Sequence, residues 1–131
     1  MCWSNNIAIP IVLKKPLRVY KLGTSTVLGS FISLYQTFWY HKSQTLPTVK
    51  INPEFIRTCP FHLFDTLWEY DTFFIHEGYH SYLTEKMARR SRDKYDEIGI
   101  FEIPEGATVY VDFRHREVVS TDIKYLGLLE V

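Results

Sequence analysis

Short apolar runs separated by turn residues fill the C-terminal third of the chain and constrain its fold more than any other feature. Residues 98–103 and 107–113 have the length and the β-branched content that are typical of strands. Between them, Pro104-Glu105-Gly106 combines a proline that presets φ with a glycine that tolerates a turn. We therefore expect the two strands to form a hairpin.

Alternation within the second strand assigns its two faces. Because successive side chains of a strand point to opposite sides, Val109, Val111 and Phe113 share one face, which we expect to be buried. The alternate side chains then lie on a face that can meet solvent or a ligand. These are Thr108, Tyr110 and Asp112.

The other elements follow from the same reasoning. Residues 17–22 alternate in the manner of a half-buried strand that Gly23 closes, and residues 117–120 and 123–128 are short apolar runs of strand type. Residues 27–40 are rich in aromatic and β-branched residues, which favours a strand, and the polar residues 41–47 then form a long loop.

Helices are expected at one or two places. Thr84 can cap a helix that ends near Arg92, with Leu83 and Met87 on its buried face. Phe61, Phe64 and Trp68 are spaced as on a short helix, which makes a second helical turn an open alternative. The sequence therefore predicts an α+β fold, a mostly antiparallel sheet with one or two helices, in a single domain over residues 1–131.

Composition excludes several classes of function. Lys and Arg number 15 and so do Asp and Glu, so the formal net charge is zero and no nucleic-acid partner is expected. No run approaches the roughly 18 apolar residues of a membrane helix, and Pro10 interrupts the apolar N-terminal run 7–13, which lacks the features of a signal peptide. Two cysteines, Cys2 and Cys59, are too few for a disulfide scaffold and favour reduced thiols in the cytoplasm.

A His-Glu-x-x-His string runs from His76 to His80, the pattern of a helical zinc site. The β-prone residues 73–75 before it and Gly78 inside it favour a strand instead. In a strand the two imidazoles would stand about 13 Å apart, too far to share one ion. We expect neither a metal nor a cofactor.

Aromatic side chains make up 16% of the chain, and many fall in predicted strands or the long loop near basic residues. Rings that stack on a base, beside cations that pair with phosphate, are the parts of a nucleotide pocket, although a packed core would use the same rings. The residues concerned are Trp3, Tyr20, Tyr35, Phe38, Trp39, Tyr40, Tyr79 and Tyr82.

The order of several short motifs resembles a family of small, uncharacterised proteins of bacteriophages and prophages. The motifs are Met1-Cys2, Val19-Tyr20-Lys21, Glu77-Gly78-Tyr79-His80-Ser81-Tyr82, Ile103-Pro104-Glu105-Gly106 and Glu117-Val118-Val119-Ser120. His76 lies outside that pattern. The resemblance implies a viral accessory protein that works in the cytoplasm of the host cell.

More distantly, the layout is similar to the ADP-ribosyltransferase fold, in which a basic residue, a serine strand and a late glutamate surround a dinucleotide. Arg18 or Lys21, Ser81 and Glu117 hold the matching positions. His80-Ser81-Tyr82 replaces the Ser-Thr-Ser string, and Arg116-Glu117 replaces the paired acids, so the resemblance implies binding rather than catalysis. The implied pocket also has Tyr20, His80 and Tyr82 in its wall.

We therefore expect a phage-type accessory protein that binds a small nucleotide-derived ligand and sequesters an immune second messenger in an anti-defence role. Arg18 or Lys21 would pair with phosphate, Tyr20 or Tyr82 would stack on a base, and His80 or Ser81 would bind a ribose hydroxyl. Two alternatives stay open, a structural or protein-interaction module and an ADP-ribosyltransferase-like enzyme. The oligomeric state, a homo-oligomer included, is open as well.

Overall fold

The computed structural model describes residues 3–5, 8–35, 37–42, 44–57, 61–63, 66–68 and 71–129. One helix, α1 (Glu85–Ser91), lies among short strands. The strands are β1 (Trp3–Asn5), β2 (Ile11–Val12), β3 (Leu17–Ser25), β4 (Phe31–Ser33), β5 (Trp39–Tyr40), β6 (Glu54–Arg57), β7 (Phe61–Leu63), β8 (Thr66–Trp68), β9 (Asp71–Ile75), β10 (Tyr79–Tyr82), β11 (Glu97–Ile103), β12 (Thr108–Asp112), β13 (Glu117–Ser120) and β14 (Lys124–Leu128).

A nine-stranded antiparallel sheet forms the main layer of the described residues, in the order β14-β11-β3-β10-β13-β12-β2, with β4 and β5 branching from β3. Two smaller antiparallel sheets, β1-β9-β6 and β7-β8, accompany it. The protein is thus an α+β fold, mostly antiparallel, with a single short helix in the part of the chain described.

The second helical turn predicted around Phe61 and Trp68 is wrong. Both residues lie in strands, and β7 pairs with β8 from Phe61↔Trp68 to Leu63↔Thr66. A spacing of three and four over so few residues is compatible with two short strands, and the cross-strand partner decides between them. Phe64 lies outside the described residues, as do Cys2 and Cys59, so the predicted state of the thiols stays a prediction.

The predicted helix at Thr84 is confirmed. The Thr84 side chain accepts a hydrogen bond from the Met87 amide at 3.2 Å, which satisfies one of the free donors of the first turn. Arg89 forms an ion pair with Glu85 one turn earlier, at 2.8 Å. The fully buried residue of the helix is Ala88, whereas Met87 and Leu83 are only partly buried.

Residues 98–103 and 107–113 do not form the predicted hairpin. β11 pairs with β3 and β14, whereas β12 pairs with β13 and β2. The turn between β11 and β12 is hydrogen-bonded to Leu13, whose amide donates to the Ala107 carbonyl at 2.9 Å. Strand β3, from the N-terminal half, occupies the position beside β11 that the local turn favours for β12.

Only part of the predicted face of β12 is buried. Val109 is buried and Val111 partly buried, but Phe113 is 64% exposed because β12 ends at Asp112. Tyr110 and Asp112, predicted on the open face, are buried as well. The predicted alternation within β12 is therefore correct. The prediction that one of its faces is open is wrong, because both faces of the sheet are covered at this strand.

Cross-strand partners share a face, so the register separates two cores. One face carries the main apolar cluster, which consists of Val19, Phe31, Tyr40, Tyr79, Phe101, Ile103, Ala107, Val109, Val118, Ile123 and Tyr125. On the other face, Leu22 and Ile98 pack with Ala88 beneath α1, and Tyr110 and Val119 pack with Ile75. Burial on both faces fixes the positions of β3 and β10, which carry the candidate site.

Candidate ligand-binding site

Strand β3 changes its partner along one edge. Near its start, Tyr20 pairs with Tyr82 of β10, and from Gly23 onward it pairs with β4. At the transition, the Leu34 amide donates to the Leu22 carbonyl at 2.9 Å. The strands β10 and β4 therefore diverge beside Lys21 and Leu22, and we call this opening the fork.

Glycine at position 23 permits the fork to form. A Cβ atom there would lie 2.0 Å from the carbonyl oxygen of Ile32 on β4, well inside van der Waals contact. Any side chain would therefore push β4 away from β3. The residue predicted to close β3 instead lies inside it and allows the exchange of partners.

Lys21 occupies the fork. Alternation places it on the face of Leu17 and Val19, and only 4% of it is exposed. Its Nζ donates a hydrogen bond to the main-chain carbonyl of His80 and lies 5.4 Å from the ring centroid of Tyr40. The Phe101 ring stands at 5.7 Å on the same face.

Burial determines the protonation of Lys21. Removing the charged amine from water lowers the pKa of Lys21 from 10.5 to about 7. Near neutral pH the amine thus exists in both forms, an ammonium that binds anions and a neutral amine with a free lone pair. Few lysines in proteins have this property, since most are hydrated.

His80 forms the opposite wall of the fork and is 2% exposed. Burial, and secondly the charge of Lys21, lower the pKa of His80 to about 4, so the ring is neutral. Its Nε2 lies 3.3 Å from the His76 carbonyl oxygen, while Nδ1 has no hydrogen-bond partner among the described residues. The Tyr35 ring packs on the imidazole with centroids 4.5 Å apart.

Two cavities meet at Lys21, Tyr35 and His80. The aromatic cavity has a volume of about 280 Å³ and is completed by Phe38, Tyr40, Pro47, Val49, Gly78 and Tyr79. The polar cavity has a volume of about 160 Å³ and is completed by Leu22, Ser33, Leu34, Tyr82, Ser91, Asp93 and Asp96. Lys21, Tyr35 and His80 therefore contribute to the walls of both cavities.

Three of the residues predicted for the site line the polar cavity, namely Lys21, His80 and Tyr82. Tyr20 lies across from Tyr82 and packs on the cluster beneath α1. Ser81 is fully buried opposite Val118, and its hydroxyl has no hydrogen-bond partner in the described part of the chain.

The remaining two predicted residues stand apart from both cavities. Arg18 is exposed and faces Glu102 of β11 across the sheet. Glu117 lies opposite Tyr82 on β13, and partial burial raises its pKa. Neither is among the residues that line the fork.

Sequence reasoning did not assign Ser33, Asp93 or Asp96 to the site, and it named Tyr35 only among the aromatic residues of a possible nucleotide pocket. Tyr35 was visible only as one of many aromatic residues, and the two aspartates follow α1 in a polar segment without periodicity. Their place at the fork depends on long-range pairing of β3 with both β4 and β10. No short-range pattern in the sequence encodes that pairing.

The His76 to His80 segment is not the continuous strand that the sequence predicted. β9 ends at Ile75, Gly78 adopts a φ of +88°, and β10 begins at Tyr79. A strand, a turn and a second strand bring the main-chain carbonyl of His76 to the imidazole of His80. Within the described residues, no group of three or more His, Cys, Asp and Glu side chains could hold a metal ion.

Comparison with known proteins gives no relative, because the chain matches no protein-family model, no curated protein and no solved structure. In the described ranges, no helix combines the length and apolar character needed to cross a membrane.

Proposed function

We propose that the fork binds a small nucleotide-derived ligand. The observation that carries the proposal is that Lys21, whose amine is buried, lines both cavities together with His80, whose buried Nδ1 has no hydrogen-bond partner among the described residues. Buried polar groups in proteins are normally satisfied, and one that lines a cavity suits a ligand that completes its hydrogen bonds.

Each part of a nucleotide has a matching group. A base stacks on the rings of the aromatic cavity, where Tyr35 and Phe38 supply faces. A phosphate pairs with the Lys21 ammonium, and a ribose hydroxyl or base amino group donates to Nδ1 of His80. The aromatic cavity, at about 280 Å³, lies just below the range of ligand pockets, roughly 300–1,000 Å³, which favours a mononucleotide over a dinucleotide.

The family resemblances agree with this proposal in one respect. β3 and β10 lie side by side, as the transferase-like layout implies for the strands that frame a nucleotide. Arg18 and Glu117 stand outside the cavities, which favours binding over transfer chemistry. In a phage-encoded setting, such a protein would sequester a nucleotide messenger in the host cytoplasm.

The proposal is tested by identifying the small molecules that copurify with the protein and the nucleotides that raise its melting temperature. Small molecules released by denaturing the purified protein are analysed by mass spectrometry, and thermal unfolding is followed with AMP, NAD, ADP-ribose and cyclic nucleotides. A ligand at about 100 times its Kd adds roughly 2.7 kcal/mol of stability, a clear rise in Tm. Adenosine is the matched control, since it lacks the phosphate for Lys21. The proposal fails if none of the nucleotides copurifies or raises the Tm.

A protein-contact role is the second candidate, favoured by the β3–β4 turn. Val27 and Leu28 there are 103% and 90% exposed, and an exposed apolar pair is typical of a contact surface, including one with a second copy of the chain. Sedimentation of the wild type and a Val27→Ser, Leu28→Ser variant tests it. A concentration-dependent dimer that the variant lacks would support this role, and two monomers would exclude self-association.

A further inference from the structure

We propose that the Lys21 amine captures small aldehydes covalently, as a reversible imine formed inside the fork. The amine is buried, the His80 main-chain carbonyl accepts its hydrogen bond, and it lies beside the ring of Tyr40, which lines the aromatic cavity together with Lys21. The proposal extends the function of the fork from binding to chemistry. It requires access to the amine and does not depend on a nucleotide ligand.

Imine formation needs a neutral, positioned amine. A hydrated lysine is almost wholly protonated near neutral pH, whereas one placed in a site of low polarity keeps a reactive lone pair. Lys21 has such surroundings, with the rings of Tyr40 and Phe101 on one side. Burial lowers its pKa to about 7, in agreement with this geometry.

The reaction balances without any further reagent. The Lys21 lone pair attacks the carbonyl carbon, a C–N bond forms, and a proton moves from nitrogen to oxygen to give a carbinolamine. The C–O bond then breaks, the oxygen leaves as water, and a C=N bond replaces it. Because the protonated imine retains one N–H, it can still donate to the His80 carbonyl that holds the amine.

Size restricts the class of substrate. The aromatic cavity, where the amine lies beside the Tyr40 ring, has a volume of about 280 Å³ and fits a short aliphatic aldehyde. Most of the residues that line this cavity are aromatic or aliphatic, which suits uncharged substituents. We therefore assign small, uncharged aldehydes as the substrate class.

Reductive trapping tests the proposal in the wild-type protein. The folded chain is treated briefly with propanal and cyanoborohydride at pH 6.5, and peptide mapping compares the alkylation rate of Lys21 with that of the exposed Lys42. Because burial lowers the pKa of Lys21 to about 7, a far larger fraction of its amine is unprotonated at this pH than the roughly one in ten thousand of an ordinary lysine. Even with restricted access, Lys21 should react at least about tenfold faster.

A denatured sample is the control, since the preference should disappear in urea, where both lysines are hydrated. If Lys21 is alkylated no faster than Lys42 in the folded protein, or if the preference persists in urea, the proposal is wrong. A Lys21→Arg variant, whose guanidinium does not form an imine, should lose the fast site and keep the slow ones. Because nucleotide binding is measured separately, failure of one proposal does not imply failure of the other.

Discussion

The side-chain amine of Lys21 donates a hydrogen bond to the main-chain carbonyl of His80, a residue 59 positions further along the chain. The bond lies where β3 exchanges β10 for β4, so a side chain supplies a donor at the place where the strands diverge. An ammonium in this position joins β3 to β10 but loses its hydration. Both proposals for the fork follow from this relationship.

The buried Lys21 should make stability depend on pH. Its pKa is lowered on folding, so between about pH 7 and 10 the unfolded chain binds more protons and the free energy of unfolding rises with pH. A single group of this kind changes the free energy of unfolding by at most about 1.4 kcal/mol per pH unit. Urea unfolding of the wild type and Lys21→Met measures this slope from pH 7.5 to 9.5. An equal slope in Lys21→Met would show that Lys21 does not have the lowered pKa.

The turn before β10 depends on Gly78. Gly106 serves as a control that separates the effect of backbone conformation from the effect of packing. Gly78 and Gly106 have the same φ of +88°, but a Cβ at Gly78 would lie 2.7 Å from Val119, whereas nothing lies within 4 Å at Gly106. Gly106→Ala should cost about 1 kcal/mol for its backbone alone. Gly78→Ala should cost about 1–3 kcal/mol more, because it also overpacks the core.

Denaturant midpoints of the two glycine variants check this difference. The position of Val119 against the turn would be wrong if the two variants lost equal stability.

The two ends of β12 should respond differently to a charge. Val109 is 1% exposed in the main core, whereas Phe113 is 64% exposed beyond the end of the strand. Val109→Asp should prevent folding, since an unpaired carboxylate would be buried, and Phe113→Asp should change stability by less than about 0.5 kcal/mol. Circular dichroism melting curves distinguish the two. Cooperative melting of Val109→Asp at the wild-type temperature would contradict the assigned core.

Period-two patterns and short apolar runs bounded by turn residues were sufficient to locate β3, β11, β12, β13 and β14 to within a few residues. They could not identify neighbouring strands, because alternation specifies a face and not a partner. The wrong hairpin at Pro104 has this cause, since the local turn favours β11 with β12 while burial on β3 favours the long-range pair. The helix was easier to predict, because the Thr84 cap acts within one turn.

The candidate site could be predicted only in part, because alternation reveals a buried face but does not reveal which strands lie side by side. Lys21 shares a face with the apolar Leu17 and Val19, a sign of burial that is present in the sequence alone. His80 and Tyr82 came from the family resemblance. Tyr35 enters the fork only because β4 diverges from β10 beside it, which no local pattern encodes.

Calorimetric titration of AMP and ADP-ribose into the wild type, Tyr35→Leu and Tyr95→Leu tests the central claim most directly. Tyr35 lines both cavities, whereas Tyr95 is 84% exposed and lines neither, so the second variant controls for the loss of a tyrosine. Stacking on a base is worth about 1–3 kcal/mol, so Tyr35→Leu should weaken binding by roughly 5-fold to 150-fold. Tyr95→Leu should bind as the wild type does. Equal affinity of Tyr35→Leu and the wild type, or no binding of either nucleotide to the wild type, would contradict the assignment of the fork as a nucleotide site.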